Sequence, residues 1–280
     1  MPTLTESACQ VLGTADAGAK AALTREVAAA WRQGLLVGLG SSRPPERPAR
    51  PARPRLVPPR ELPRRRLGRD NRGRVALVHA VAHIELNAID LAWDMIARFA
   101  DEAGDERAAQ DFADAHAFAD AQAFADDWVG VADDEARHFT LLVGRLDQLG
   151  AAYGELPAHD GLWQAAAETR HDLLARLAVV PLVLEARGLD VTPGLCERLR
   201  RAGDEASARI LELILDDEIG HVATGQRWFL KVCARRGLEP ISAFHDLVRR
   251  HFRGTLKPPF NVSARRRAGL GQEFYLPLVG

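Results

Sequence analysis

A six-residue pattern, Asp-Asp-Glu-x-x-His, occurs twice in this sequence. Glu135 and His138 belong to the first copy, and Glu218 and His221 belong to the second. In a helix, a residue and the third residue after it lie on one face, about one turn apart. The two side chains of each copy can therefore reach a single ion. The spacing predicts two pairs of metal ligands, each with one carboxylate and one imidazole.

Both pairs lie on helix faces that are otherwise apolar. The first face is formed by Trp128, Val131, Leu142, Leu146 and Leu149. The second is formed by Leu211, Ile214, Gly225, Trp228 and Val232. A buried ionised carboxylate is costly unless a cation neutralises it. Glu85 and Glu185 lie on similarly apolar faces of two other predicted helices. We therefore expect four carboxylates and two imidazoles to meet in one buried site.

The donor types indicate which metal would bind. Oxygen and nitrogen ligands without thiolate favour iron or manganese. Four carboxylates balance the charge of two divalent cations, so we expect two iron ions, with manganese as the alternative. The predicted ligands are Glu85, Glu135, His138, Glu185, Glu218 and His221. Asp134 and Asp217 are placed to accept the second ring N–H of the histidine from the opposite pair and so to orient it.

Other interpretations of these residues were weighed. A single Glu-x-x-His pattern often occurs by chance. Buried salt bridges would need basic partners on the same faces, but Arg137 and Arg187 lie off those faces. His79 and His83 are four residues apart, yet neither shares the face of Glu85, so hydrogen bonds within the core are the favoured interpretation. The repeated pattern on apolar faces favours a metal site.

Four long helices are predicted to carry these ligands. They are a helix over Val75–Phe99, one that ends at Gly150, one over about Leu162–Gly188, and one that follows residues 203–207. Pro181 is expected to kink the third helix one turn before Glu185. No convincing strand pattern is present, so the sequence predicts an all-α fold, a four-helix bundle with ligands on its inward faces.

The rest of the chain is predicted to surround this bundle. Eight prolines between residues 43 and 63 exclude a helix and favour an extended arm. A Phe-Ala-Asp repeat at 112–128 indicates a local duplication. The expected organisation is a helical lead-in at 1–42 with helices at Leu4–Leu12 and Lys20–Gly38, a Pro/Arg-rich arm at 43–74, the bundle at 75–236, and a C-terminal helix and tail at 237–280.

Composition excludes several classes of protein. A formal net charge of −1 and a pI near 6.8 argue against bulk electrostatic binding to nucleic acid or to a membrane. No signal peptide or membrane-spanning run is recognised, so a cytoplasmic location is expected. The three cysteines, Cys9, Cys196 and Cys233, are widely spaced and indicate neither disulfides nor a zinc site.

Four segments carry a resemblance to a known family. They are HAVAHIELNAIDLA, DDEARHFTLL, VVPLVLEARGLDVTP and DDEIGHVATGQRWF. With them the sequence resembles an uncharacterised bacterial ferritin-like family, a domain of unknown function, over most of the chain. The proline arm and the tail also resemble that family. The resemblance implies a ferritin-like fold and di-iron ligands at the six residues named above, but no substrate. A more distant likeness links it to the di-iron monooxygenase that hydroxylates modified tRNA.

Three functions follow as expectations. The first is an O2-activating oxygenase or oxidase that takes electrons from an external reductant and acts on an unknown small molecule or RNA. The second is iron storage or peroxide consumption without an organic substrate. The third is tRNA hydroxylation guided by the arginines of the arm, for which an arm packed on the protein surface and paired with acids such as those of 101–127 is the favoured alternative. A membrane partner is not expected, and a homodimer is compatible with the sequence. Tyr153 and Tyr275 lie off the ligand faces, which argues against a radical-generating subunit.

Overall fold

The computed structural model of the protein describes residues 1–62, 71–103 and 115–280. Within this part of the chain the fold is all-α, because helices are joined by loops and only two isolated β-bridges are present. The prediction of an all-α fold is therefore confirmed. The chain divides into two compact units, Met1–Asp160 and Gly161–Gly280, and each is described here by itself.

The helices are named in chain order. In the first unit they are α1 (Leu4–Gly13), α2 (Ala17–Arg32), α3 (Arg72–Ala103) and α4 (Ala115–Gln148). In the second unit they are α5 (Gly161–Glu168), α6 (Leu173–Val179), α7 (Ala186–Arg201), α8 (Glu205–Arg236), α9 (Pro240–His251), α10 (Val262–Arg267) and α11 (Gln272–Tyr275). A π-helical stretch, Val180–Glu185, joins α6 directly to α7 and is called the π segment below.

In the first unit, α3 and α4 form the central helix pair, and α1 and α2 pack against them. A capping box starts α1, because the Thr3 hydroxyl accepts from the backbone N–H of Glu6 and the Glu6 carboxylate accepts from that of Thr3. The indole of Trp93 donates to the Thr24 hydroxyl at 3.0 Å, inside the interface of α2 with α3. The lead-in helices therefore belong to the core of this unit.

By length and composition, α3 alone among the described helices could cross a membrane. In the structure, however, 78% of its most apolar window is buried inside the protein. The helix also carries Glu85, Asp90 and Asp94, whose carboxylates are buried with it. This is consistent with the core helix of a soluble protein.

The proline-rich arm packs on the first unit. Arg47 pairs with Asp160, and Arg50 pairs with the buried Asp90 at 3.0 Å. The backbone N–H of Val57 donates to the carbonyl of Ala158 at 2.8 Å. A packed arm was the favoured interpretation, but these two arginines pair with other acids than those of 101–127. The arginines at 64, 65, 66 and 69 lie outside the described residues.

The prediction of one continuous helix from Leu162 to Gly188 is wrong. That stretch is divided between α5, α6, the π segment and the start of α7. The break occurs because the Asp172 side chain accepts from the backbone N–H of Leu174 at 3.0 Å and so starts a new helix. The last part continues past Gly188 to Arg201, with Pro193 inside the helix.

Other predicted boundaries shift at their ends. α3 begins at Arg72, before the predicted Val75, and α4 already begins at Ala115, within the Phe-Ala-Asp repeat. The second lead-in helix starts earlier than predicted, because the Asp16 side chain caps it by accepting from the N–H of Ala19. It ends at Arg32, before Gly34, whose φ of 68° is left-handed.

Candidate metal centre

The first ligand group is built by the central helix pair of the first unit. α3 supplies Glu85, and α4 supplies Glu135 and His138 from positions one helical turn apart. His138 Nδ1 lies 3.2 Å from Glu85 Oε2 and 3.4 Å from Glu135 Oε2. All three residues are buried, and their ligand atoms lie within 4.8 Å of one another. One ion could therefore contact all three.

Electrostatics in this group favour a bound cation. Burial raises the pKa of Glu85 well above its usual range, and the neighbouring charge of Glu135 raises it further. Burial alone would lower the pKa of His138, but hydrogen bonds and charges from Glu135 and Glu85 outweigh it and raise that pKa to about 11. Without a metal, the group thus holds protons that a divalent ion can replace.

The acids that precede Glu135 are held apart from it. The Asp133 carboxylate forms ion pairs with Arg25 Nε and Arg32 Nη1 of α2, each at 2.6 Å. Asp134 is partly exposed and pairs with Arg137 on its own helix at 3.1 Å. Arg137 therefore faces Asp134, in agreement with its exclusion as a salt-bridge partner of the ligand face. The proposed orienting role of Asp134 and of Asp217 stays a prediction.

The second ligand group is looser. In α8, His221 Nδ1 lies 3.7 Å from Glu218 Oε1, beyond hydrogen-bond length. The Glu218 side chain is 12% exposed, whereas that of Glu135 is 0% exposed. Glu185 is half-buried at the end of the π segment. The Glu-x-x-His pair of α8 is therefore less buried and less closely paired than that of α4.

The π segment determines the position of Glu185, which is its last residue. Pro181 lies in its first turn, so the irregularity falls where the sequence predicted a distortion. A Cβ added at Gly225 of α8 would lie only 2.4 Å from Pro181 Cβ. Gly225 therefore permits the proline ring to approach the backbone of α8, four residues after His221. This close approach fixes the position of the π segment along the axis of α8.

His79 and His83 of α3 make hydrogen bonds within the core, as predicted. The backbone N–H of Gly154 donates to His79 Nε2 at 2.9 Å. His83 Nε2 lies 3.2 Å from the carbonyl of His159 and must be protonated to donate to it. Burial lowers the pKa of His83 to about 3, so the ring is neutral and its Nδ1 accepts from the Tyr153 hydroxyl at 2.8 Å. Both histidines bind the loop that follows α4.

Sequence patterns missed the residues that hold Asp133, two positions before Glu135. Arg25 and Arg32 lie in a different helix from Asp133, and a contact over that separation leaves no periodic signal. The C-terminal tail contacts around Asp190 and Arg265 are equally invisible in the sequence. Only Asp172, as an acid that could cap a helix, was a readable signal of the break before α6.

These features define a class, an all-helical protein with a buried group of glutamates and histidine suited to a metal ion. The chain belongs to the family described as "Protein of unknown function (DUF455)", which matches residues 13–276. It is 41% identical over 222 residues to an uncharacterized protein of Haemophilus influenzae, covering 79% of this chain and 73% of that protein. No solved structure matches significantly. The predicted likeness to an uncharacterised family is confirmed.

Proposed function

We propose that this protein is a ferritin-like di-iron carboxylate protein of the cytoplasm that acts as an O2-activating oxygenase or oxidase. The observation that carries the proposal is the buried group of Glu85, Glu135 and His138. Two glutamates withdrawn from water beside one imidazole are costly in a protein without a metal. A bound metal ion would offset this cost.

The second part of the proposal is that all six predicted ligands share one di-metal site. It rests on the sequence: the Asp-Asp-Glu-x-x-His pattern of α4 recurs in α8, and each of the two other helical stretches adds one glutamate. A Glu from each of two helices with Glu-x-x-His from each of two more is the ligand set of ferritin-like di-iron and di-manganese proteins. Four carboxylates would neutralise two divalent ions.

The residues of the chain would do the following work. Glu85, Glu135 and His138 would hold one end of the site, and burial would exclude water from it. Glu218 and Glu185, which are less buried, are the ligands most able to shift during turnover. When bound, two ferrous ions would supply the electrons that O2 accepts. An external reductant would then restore the ferrous state.

The test is metal content followed by reaction with air. Protein from iron-supplemented cells is analysed for iron per chain, then loaded with ferrous iron under nitrogen, and its spectrum is followed after air is added. About two irons per chain, as expected for two-metal sites, with a transient O2-dependent absorption band would support the proposal. The matched control is Glu135→Gln/Glu218→Gln, which should bind little iron and show no band.

Two results would contradict O2 activation. Slow oxidation of many irons per chain would favour the alternative of storage or peroxide consumption. Absence of stoichiometric metal from the wild-type protein would contradict the metal site itself.

For the substrate, we propose an unknown small molecule or RNA, with tRNA hydroxylation as the alternative that the distant resemblance implies.

A further inference from the structure

The C-terminal tail covers the turn of α7 that follows Glu185. Arg187 Nη1 donates to the carbonyl of Lys257 at 2.6 Å and to that of Pro259 at 3.1 Å. The Asn261 side chain donates to the carbonyl of Leu189 at 3.2 Å. These contacts join the tail to the first residues of α7, inside the second unit. The tail is therefore attached next to a predicted metal ligand.

A buried ion pair completes this attachment. Arg265 donates Nε to Asp190 Oδ1 at 2.8 Å and Nη2 to Asp190 Oδ2 at 2.7 Å. Its Nη2 also reaches the carbonyl of Ala186, the residue after Glu185, at 3.3 Å. Asp190 accepts in addition from the backbone N–H of Asn261 at 2.9 Å. The two side chains therefore meet in a fork geometry with fixed direction.

Burial and aromatic packing restrict the pair further. The side chains of Arg265 and Asp190 are 2% and 0% exposed. The Arg265 guanidinium lies 4.4 Å from the ring centroid of Tyr275 and 5.2 Å from that of Phe260. A buried pair of this kind contributes little net stability compared with apolar residues of the same size. The pair instead fixes the position of the backbone at Ala186 and Asn261, which its side chains contact.

The π segment needs such support at its C-terminal end. A π-helical turn is rare and is retained mainly where it serves a site. At its N-terminal end, Pro181 is located by its close approach to Gly225. At its C-terminal end, the tail holds Ala186, Arg187, Leu189 and Asp190. Glu185 lies between these two fixed points.

We propose that Arg265, through its pair with Asp190 and its bond to Ala186, is a positioning residue for Glu185 as a metal ligand. The inference rests on the proposed function, since it assigns to the tail the task of holding one ligand of the di-metal site. Outer partners that orient metal ligands typically change metal affinity by about 10-fold to 100-fold when removed. We expect a loss of affinity of this size for the more weakly bound of the two ions.

The experiment is a cobalt(II) titration of the full chain, followed by absorption spectroscopy. The variant Arg265→Met/Asp190→Asn removes both buried charges, while the asparagine can still accept from Asn261, so neither an unpaired arginine nor an unpaired carboxylate is left in the core. The control is Arg200→Gln, which breaks an exposed ion pair of α7 with Glu205 and Glu212. Thermal unfolding is measured for each protein.

Three results support the inference together. The wild type and Arg200→Gln bind two cobalt ions per chain, the double variant binds its weaker ion about tenfold or more less tightly, and its ligand-field spectrum changes. Arg265→Lys gives an intermediate loss, because an ammonium keeps the charge but not the fork. A merely structural role would lower the unfolding temperature and leave the affinity and spectrum of the folded protein unchanged.

Failure of this inference is distinct from failure of the proposed function. If the wild type binds two cobalt ions and the folded double variant binds them with the same affinities and spectrum, positioning by Arg265 is wrong and the di-metal site stands. If Arg265→Lys behaves as the wild type, the fork is not required and the inference is equally wrong. If the wild type binds no cobalt, both proposals are overturned.

Discussion

The two units present their predicted ligands in different ways. In the first, Glu85 and Glu135 lie on long uninterrupted helices, and both approach His138 Nδ1 within 3.4 Å. In the second, Glu185 ends a π-helical turn, and His221 Nδ1 is 3.7 Å from Glu218. The same sequence pattern thus gives one tightly gathered group and one looser group.

Surroundings account for much of this difference. Asp133, at the start of the first pattern, is fixed by two arginines of α2. The Asp216 side chain, at the start of the second pattern, is 77% exposed, and its Oδ1 lies 3.9 Å from Arg267 Nη1. A ligand group whose neighbouring residues are held in place is better prepared for a metal ion than one whose neighbours are exposed. The first group is therefore predicted to bind metal more tightly.

The largest expected effect is loss of metal on removing a ligand. Glu135→Ala should weaken metal binding by more than about 100-fold, beyond the range typical of outer partners, because it removes a fully buried ligand carboxylate. Glu218→Ala should also lower bound metal sharply, but less, because its group is looser. Metal per chain after dialysis measures both. Asp147→Ala, an exposed acid on α4, is the matched control, and unchanged stoichiometry in either ligand variant would contradict the assignment.

The close approach at Gly225 provides the next prediction. Gly225→Ala would place a Cβ 2.4 Å from Pro181, and overpacking of this kind costs about 1–3 kcal/mol. Gly220→Ala, on the same helix, meets no atom within 4 Å and should stabilise the helix by up to about 1 kcal/mol. Urea unfolding of the metal-free proteins measures both. If Gly225→Ala stabilised the protein as much as Gly220→Ala does, the π segment would be able to move away from α8, and the predicted clash would be wrong.

The pH dependence of metal binding tests the first group. Burial raises the pKa of Glu85, and hydrogen bonds and charges of the two glutamates raise the pKa of His138 to about 11, so a metal must displace a proton to bind. Affinity should rise with pH, by about tenfold per unit for each proton displaced. Titrations at about pH 6 and 8 measure this. Affinity that falls or stays constant over this interval would contradict the described proton state.

The metal-free protein should respond to pH in the opposite direction. The raised pKa of His138 stabilises the fold below about 6.5 and this contribution is lost as pH rises toward about 11. The raised pKa of Glu85 destabilises the fold progressively above the ordinary carboxyl range. Stability without metal should therefore fall with rising pH. Glu85→Gln should make this fall shallower in thermal unfolding.

The smallest expected effect concerns the first aspartate of each pattern. Asp133→Asn loses ion pairs to Arg25 and Arg32 that are half exposed, which should cost about 0.5–1 kcal/mol. Asp216→Asn should cost almost nothing, because that side chain is largely exposed. Urea unfolding at low salt compares them. Equal costs would remove the difference in support that we assign to the two groups.

The sequence predicted the helical class, which is confirmed. It also predicted which residues share a helix face, because a spacing of three residues on an apolar face is a local property of a helix. The assignment of these residues as metal ligands stays a prediction. It correctly assigned His79 and His83 to core hydrogen bonds. It could not predict how closely each group gathers, since this depends on contacts such as Asp133 with α2. The likeness to a ferritin-like superfamily stays a proposal.

Errors in the sequence interpretation have a common physical origin. The break before α6 depends on a cap by Asp172 and on the buried Arg176, which donates to the Thr169 hydroxyl at 3.0 Å and to the Ala166 carbonyl at 2.6 Å. These polar contacts interrupt the helix in the middle of an apolar run. The hydrophobic period continues through the run, so the sequence pattern predicts one continuous helix. The attachment of the tail to α7 is a contact between residues about 75 apart in sequence, as for Arg265 and Asp190.

The π segment also constrains how this chain can change during evolution. Each residue of an α-helix turns it by about 100°, and a π-helical turn contains about one residue more than an α-helical turn. A single-residue deletion between Val180 and Glu185 would therefore restore regular helix while rotating everything upstream by about 100° relative to α7. Substitutions here are tolerable where size is kept, but the length of this stretch should be invariant among relatives that retain the carboxylate of Glu185.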